Sequence, residues 1–348
     1  LESLGTDFFL VGIELASAGK YVRYSAPKPQ KRLTPTDGRV GVPRILAYDE
    51  LRVFFDRLLE SAQMTTVVSP RSTKAILDAG AALSVDDVCM PLKLSLGHVD
   101  ALVRDRVEVV LVPRYISVAK GRNFCPKFHV LPDIVRSVFP RIGVLAPYID
   151  FHHTRHGDFA RHLEEACSPV LWQLGVPRHR MRGMVVQAHE AQRLADSQGE
   201  PFEEATNAPV IAMLGHTYAE RDSLCGLDVP RKLERLGVRV LRSPSILPPE
   251  NQELCADIYY EPTHRTARAA ATRIAQGVDG IVLLTFFACG PDSYGAELLM
   301  CRLARLYPQV PVLRIIADEQ CAAEGLNTRL ETFVDIVRES RARRSQGC

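Results

Sequence analysis

Val278 to Phe287 reads VDGIVLLTFF, and this nearly unbroken apolar run constrains the fold more than any other stretch. Such a run suits a strand covered on both faces of a parallel sheet. It stops at Ala288-Cys289-Gly290-Pro291-Asp292-Ser293, where a helical pattern begins at once. Open α/β sheets place chemistry at junctions of this kind. A cysteine there feels the positive end of a helix, which favours its thiolate and equips it as nucleophile or metal ligand.

The device recurs twice. Asp86-Asp87-Val88-Cys89-Met90-Pro91 opens a helix carrying Leu92, Leu94, Leu96, His98 and Val99, and Phe124-Cys125-Pro126-Lys127-Phe128 follows the strand-like Val107 to Pro113. Each cysteine is followed within two residues by a proline, whose fixed φ suits the first helical turn. Taken singly, such a cysteine is more often a buried apolar residue than a ligand. Three in one strand-turn-helix setting bring a shared metal site into view.

Strand-like and helical segments alternate on both sides of a helical stretch, which predicts an α/β fold of two doubly wound parallel-sheet domains. Residues 1–37 form an N-terminal extension with Phe8 to Leu15 apolar and Tyr21 to Pro35 an irregular arm; 38–150 is the first α/β domain. In it, strands at Val40 to Pro43, Thr65 to Ser69, Val107 to Pro113 and Ile142 to Ala146 alternate with helices. One helix spans Tyr48 to Ala62, and another is capped by Ser72 and ended by Gly80. Residues 151–208 form a helical connector, with Glu200 to Ala208 as linker, and 209–348 the second α/β domain. There the strands are Val210 to Leu214, Val238 to Leu241, Val278 to Phe287 and Val310 to Ile316. The helices are Val229 to Leu236, a long one from Glu250 to Gln276, and a last one from Arg329. The ends of the Val107 and Val278 strands are expected at one cleft.

The 348 residues suffice for more than one core, and a net charge of +2 gives no reason to expect nucleic acid. Nine cysteines are too sparse for a disulfide scaffold, and no secretory signal or membrane span is read, so a reduced cytoplasmic protein is expected. The chain begins at Leu1 rather than Met, which implies that the natural start lies further upstream. No phosphate loop, G-x-G-x-x-G, G-x-S-x-G, H-E-x-x-H or C-x-x-C occurs. Any metal site must therefore be built from distant segments.

Weaker candidates remain. His152, His153 and His156 read as a polar turn before a metal site, and Gly215-His216 either points into a cleft or is a satisfied structural histidine. Asp318-Glu319 ends a strand at the sheet edge expected to hold Cys289, where acid–base work or ion pairing with an arginine are the options, the latter favoured for Glu319. Arg338, Arg341, Arg343 and Arg344 read as a solvated helix end.

Several motifs carry a family resemblance. Val40-Gly-Val-Pro-Arg44, Val88-Cys-Met-Pro-Leu-Lys93 with Gly97-His98, Val112-Pro-Arg114 and Cys125-Pro-Lys-Phe128 resemble the acyl-CoA dehydratase activase-related proteins. So do Gly215-His216, Gly277-Val-Asp-Gly280, Cys289-Gly-Pro-Asp-Ser293 and Thr328-Arg-Leu-Glu331, so the resemblance runs from about Gly38 to Val337. This family is similar to 2-hydroxyacyl-CoA dehydratase components and double-cubane cluster proteins, which hold an iron–sulfur cluster between Rossmann-like domains. The resemblance implies two such domains, with Cys89, Cys125 and Cys289 as ligands of a [4Fe-4S] cluster, or a double-cubane cluster as the alternative. Three thiolates leave one iron of a cubane open to a further ligand. Cys225 and Cys321 are options for it, with an idle thiol the plainer reading of each; Cys167, Cys255, Cys301 and Cys348 stand outside the motifs. The resemblance also implies low-potential electron transfer from an ATP-dependent activase in anaerobic metabolism. The protein would then be a reductase, or a lyase of the 2-hydroxyacyl-CoA dehydratase type, on acyl-CoA or another small molecule. A non-catalytic iron–sulfur carrier, scaffold or assembly protein stands as the alternative, with a structural zinc protein behind it. Homo- or hetero-oligomers are both open.

Overall fold

In the computed structural model the first run of elements is β1 (Arg39–Val42), α1 (Tyr48–Ser61), β2 (Thr65–Val68), α2 (Lys74–Ala82), α3 (Met90–Arg104), β3 (Val109–Leu111), β4 (Arg114–Ala119), β5 (Arg122–Asn123), α4 (Pro126–Val138), β6 (Gly143–Leu145) and β7 (Tyr148–Asp150). Two helices follow, α5 (Phe159–Gln173) and α6 (Arg178–Ser197). The second run is β8 (Val210–Gly215), α7 (Thr217–Arg221), α8 (Val229–Arg235), β9 (Arg239–Leu241), α9 (Gln252–Cys255), α10 (Glu261–Ala275), β10 (Gly280–Phe286), α11 (Gly290–Leu306), β11 (Val312–Ala317) and α12 (Ala323–Ser345). The structure describes residues 31–46, 48–152, 159–197, 207–244, 247, 251–321 and 323–345, and Lys31–Cys348 is a compact unit of its own. The expectations for Phe8 to Leu15, for residues 21–30 of the arm, for residues 200–206 of the linker and for His153, His156 and Cys348 lie outside the described residues.

The fold is α/β with parallel sheets, as the alternation predicts. One sheet has the order β2-β1-β3-β6 and the other β11-β10-β8-β9, and every pairing within them is parallel. In each, the first strand of the run lies beside the third, and the strand order reverses there. The C-terminal ends of that strand pair are where open α/β sheets leave a crevice.

All residues of β10 are buried, and their alternation explains the apolar run. Val282, Leu284 and Phe286 join the large core shared with the first sheet, together with Ile211 and Met213 of β8. Ile281 and Leu283 face the other way with Ala212 and Leu214, against Leu254, Ala267, Leu299 and Leu303. A strand apolar on both sides has no face to give to water, so it must be internal.

Several local expectations change. The first sheet does not end at Pro113. Beyond it the ladder resumes as a three-stranded sheet, β5-β4-β7, with Val112 N donating to Leu145 O and Arg114 N to Pro147 O, both at 2.8 Å. Pro113 and Pro147 interrupt the apolar pattern without breaking the pairing, which hid these strands. The region from Glu250 to Gln276 is two helices, because Asp257 turns the chain in the left-handed region at φ 57° and Pro262 opens a new helix. The last helix begins at Ala323, six residues before Arg329. Its arginines are not simply solvated: Arg338 reaches Leu236 O at 2.7 Å, Arg341 reaches Asn207 O at 2.9 Å, and Arg344 pairs with the buried Asp279 at 2.7 Å.

Thr73, not Ser72, caps α2, and Gly80 lies inside the helix. Gly80 serves contact rather than termination. A Cβ there would sit 1.8 Å from Lys93 O, and one on Gly97 would sit 1.9 Å from Ile76 O. The two glycines let the backbones of α2 and α3 touch. Ser72 is freed to meet His98 Nε2 at 2.9 Å, while Ser69 meets Nδ1 at 2.9 Å. Among the described residues no helix is long and apolar enough to cross a membrane.

Gly80→Ala and Gly97→Ala should each destabilise the chain by about 1–3 kcal/mol or more, because backbone rather than a movable side chain stands in the way. Urea unfolding checks this; a change within experimental scatter at either position would refute the packing account.

Candidate metal centre

Cys89, Cys125 and Cys289 are the N-cap residues of α3, α4 and α11, each in extended conformation and with proline in the first turn. Only Cys289 and, through the two-residue β5, Cys125 follow a strand. Cys89 follows turns and bends that come off α2, so the shared context is the helix start and not the strand. Tyr115, Phe124 and Phe128 pack around the Cys125 cap, with Phe124 5.2 Å from each of the other two rings. Before Cys289, Ala288 takes the left-handed conformation at φ 59°, one that L residues other than Asn and Asp seldom adopt. Its carbonyl accepts from Lys127 Nζ at 2.9 Å, so the helix of Cys125 holds the turn of Cys289.

The three thiols lie within electrostatic reach of one another. Cys125 is pushed up by Cys89, and Cys289 by both of the others. The expectation that the helix ends favour thiolates does not hold for the protein without metal. Burial raises all three, Cys289 to about 12 with further help from the Asp292 carboxylate. Backbone N–H groups of Leu92, Phe128 and Asp292 and the charge of Lys127 pull the other way, and burial wins. A thiol at these sites keeps its proton until a cation displaces it.

Beside Cys289 lies a second group that spacing did not reveal. A ring nitrogen of His216, Cys289 Sγ and a carboxylate oxygen of Asp292 lie within 4.8 Å of one another and all three residues are buried. Nε2 and Oδ2 face each other at 3.1 Å, yet neither makes a hydrogen bond. Each residue is held from its far side. Tyr218 Oη meets His216 Nδ1 at 2.8 Å, and Thr263 Oγ1 donates to Asp292 Oδ1 at 3.0 Å. Gly295 permits this second contact, since a Cβ there would come within 2.8 Å of Thr263 Cγ2. His216 and Cys289 follow β8 and β10, the adjacent pair at which the second sheet reverses order. Asp292 stood in the sequence only as part of the Cys289-Gly-Pro-Asp-Ser293 motif, with no role of its own, and Tyr218 and Thr263 gave no signal.

Of the other candidates, Cys225 keeps an electrostatic link to Cys89 and the rest separate. Cys225 is fully buried and Cys89 helps raise its pKa, after burial and Asp222. Cys321 is half-exposed, its sulfur 3.8 Å from Ile316 O. Cys167 is raised to about 12 by burial alone, and Cys301 is exposed. Glu319 pairs with Lys93 of α3 at 2.5 Å, a lysine rather than an arginine, and Asp318 caps Gln320 N at 2.9 Å. His152 lies in the turn after β7, with its N–H on Asp150 Oδ1 at 3.1 Å.

The architecture and these residues define an α/β protein with a buried cysteine, histidine and carboxylate centre at helix starts. Residues 39–246 match the model of the family described as CoA enzyme activase uncharacterised domain. The chain belongs to that family. The matched stretch holds Cys89, Cys125 and His216 and ends before Cys289 and Asp292. A search of curated proteins finds no match.

Glu220 fastens the loop of His216. It accepts from Gly215 N at 3.0 Å and from Ser243 N and Oγ at 2.9 and 2.5 Å, while burial raises its pKa from 4.5 to about 7. The folded chain thus keeps a proton that the unfolded chain releases in this window. Stability should fall from about pH 4.5 to 7, by up to about 1.4 kcal/mol per pH unit from this group, and level off above. Glu220→Gln should flatten that decline in urea melts taken between about pH 5 and 8; an unchanged slope would contradict it.

Proposed function

We propose that this chain is an iron–sulfur protein that accepts low-potential electrons from an ATP-dependent activase. It acts as a reductase or dehydratase-type component on an acyl-CoA or similar substrate, in the reducing cytoplasm. The reading takes its two halves as Rossmann-like, doubly wound domains related to 2-hydroxyacyl-CoA dehydratase components and double-cubane cluster proteins. Cys89, Cys125 and Cys289 are its cluster ligands, with [4Fe-4S] the first expectation. The observation that carries it is the gathering of three helix-capping thiols from both runs of elements, two buried and one half-buried, with Cys89 acting electrostatically on Cys125 and both acting on Cys289. The family description, with its reference to CoA enzyme activases, supports the link to an activase.

The donor set fits such a group. The three sulfurs form no group tight enough for one ion among the described residues, but Cys89 acts on the other two and Cys125 on Cys289, a looser grouping that suits a multi-iron cluster. When bound, a cluster supplies one-electron transfer. This chain contributes N–H groups directed at the sulfurs and the Lys127 charge, which favour the reduced, more negative form, while burial opposes it.

The carrier or scaffold reading has an observation of its own. The cavity that His216 lines together with Phe124, Tyr218, Glu261 and Arg265 is about 60 Å³, well under the roughly 300–1,000 Å³ of small-molecule sites. A catalytic role therefore requires this junction to open.

Anaerobic purification with iron, sulfide and zinc analysis and low-temperature EPR of the reduced protein tests the assignment. Iron and sulfide in equal amounts and a reduced-cluster signal are expected. Cys289→Ala should lose most of the iron while Cys301→Ala keeps it, and the chain alone should not hydrolyse ATP. Full iron loading in Cys289→Ala, or zinc in place of iron and sulfide, would end this reading.

A further inference from the structure

We propose that His216 Nε2, Asp292 Oδ2 and Cys289 Sγ bind a single divalent transition-metal ion of the zinc class. Three electron-rich atoms lie within 4.8 Å of one another, and two of them are buried without a hydrogen bond. His216 and Asp292 are each only 3 % exposed. Polar atoms without a hydrogen bond in such a place are costly, by about 1–3 kcal/mol each, and a cation held by both would offset that cost.

Distance and charge both favour an ion. Zinc–nitrogen and zinc–oxygen bonds of about 2.0–2.2 Å at a tetrahedral angle put the two ligand atoms roughly 3.3 Å apart. Nε2 and Oδ2 are 3.1 Å apart. A thiolate, a carboxylate and a neutral imidazole around a divalent ion carry no net charge, the condition that makes a buried ion tolerable. Binding releases the Cys289 thiol proton to solvent and forms the sulfur–metal bond, with no change of oxidation state.

The supporting contacts are those of a prepared site. Tyr218 Oη lies 2.8 Å from His216 Nδ1; in the tautomer in which Nδ1–H donates to that oxygen, the lone pair is on Nε2 and free for a metal. Thr263 donates to the far oxygen of Asp292. Such outer partners orient metal ligands. Three protein ligands leave a fourth position for water or a small ligand.

This site does not depend on the cluster. A thiolate has lone pairs enough to bridge a cluster iron and this ion, and without a cluster Cys289 is an ordinary terminal ligand.

The test is titration of the full chain, stripped of metal under anaerobic reducing conditions, with Co²⁺ and then Zn²⁺. Sulfide is measured on the protein as purified. One Co²⁺ per chain with a thiolate-to-cobalt charge-transfer band, displaced by Zn²⁺, is expected. His216→Ala and Asp292→Asn should abolish the band while Cys301→Ser, at an exposed thiol, keeps it. Thr263→Val, which removes only the contact behind Asp292, should weaken binding by about 10- to 100-fold. Circular dichroism melts of each variant establish folding. No thiolate band, or a band indifferent to both His216→Ala and Thr263→Val, would overturn the site and leave His216 and Asp292 a buried ion pair. Iron and sulfide without the cobalt site would end this inference alone; the cobalt site without iron and sulfide would end only the function proposed above.

Discussion

A strand with no polar face has to be covered on both sides, and much of this molecule follows from meeting that demand at Gly280–Phe286. One side is closed by α9, α10 and α11, the other by the core shared with the first sheet. The strand is thereby internal, and Phe286 at its C-terminal end is buried. Cys289 is buried there because of where β10 must lie, and Asp292 is carried in with it on the first turn of α11. Within the layer of α9, α10 and α11, Thr263 of α10 lies against α11, where Gly295 leaves room.

Enclosure also decides the electrostatics. A helix start offers a cysteine free N–H groups and the positive end of a dipole, a local benefit that falls off within a turn. Burial acts through everything around the sulfur and is larger here, so all three thiols are held protonated. The same balance leaves His98 neutral, its pKa lowered to about 4 by burial and its ring satisfied by Ser69 and Ser72. His98 and His216 are equally hidden and differ in one respect: both nitrogens of the first are bonded, and one nitrogen of the second is not.

What was legible in the amino-acid order was what repeats locally. β10, the alternation of strands and helices, and the cysteine-proline helix starts are all short-range patterns. Cys89 shows the limit, since a helix start was readable but the turn before it was taken for a strand. Gly80 misled because a glycine that ends a helix and one that admits a neighbouring backbone are the same letter; only the approach of α3 separates them. The continuation of the first sheet past Pro113 rests on pairing with Pro147, and the break at Asp257 on a single backbone angle. His216 facing Asp292 was least accessible of all, because the two meet only once β8 and β10 are adjacent.

The family match ends at residue 246, and the sheet order gives that boundary a mechanical meaning. It falls after β9 and before β10, so it separates β8 from its neighbour on one side. A chain cut there would retain β8 and β9 as a two-stranded remnant whose inner edge, with Ile211 to Gly215 unpaired, becomes an outer one. Two parallel strands with an apolar free edge make a poor unit and a ready template for association. The limit of the shared sequence is therefore not a limit of the folding unit, and expression of this protein in pieces has to respect the sheet rather than the match.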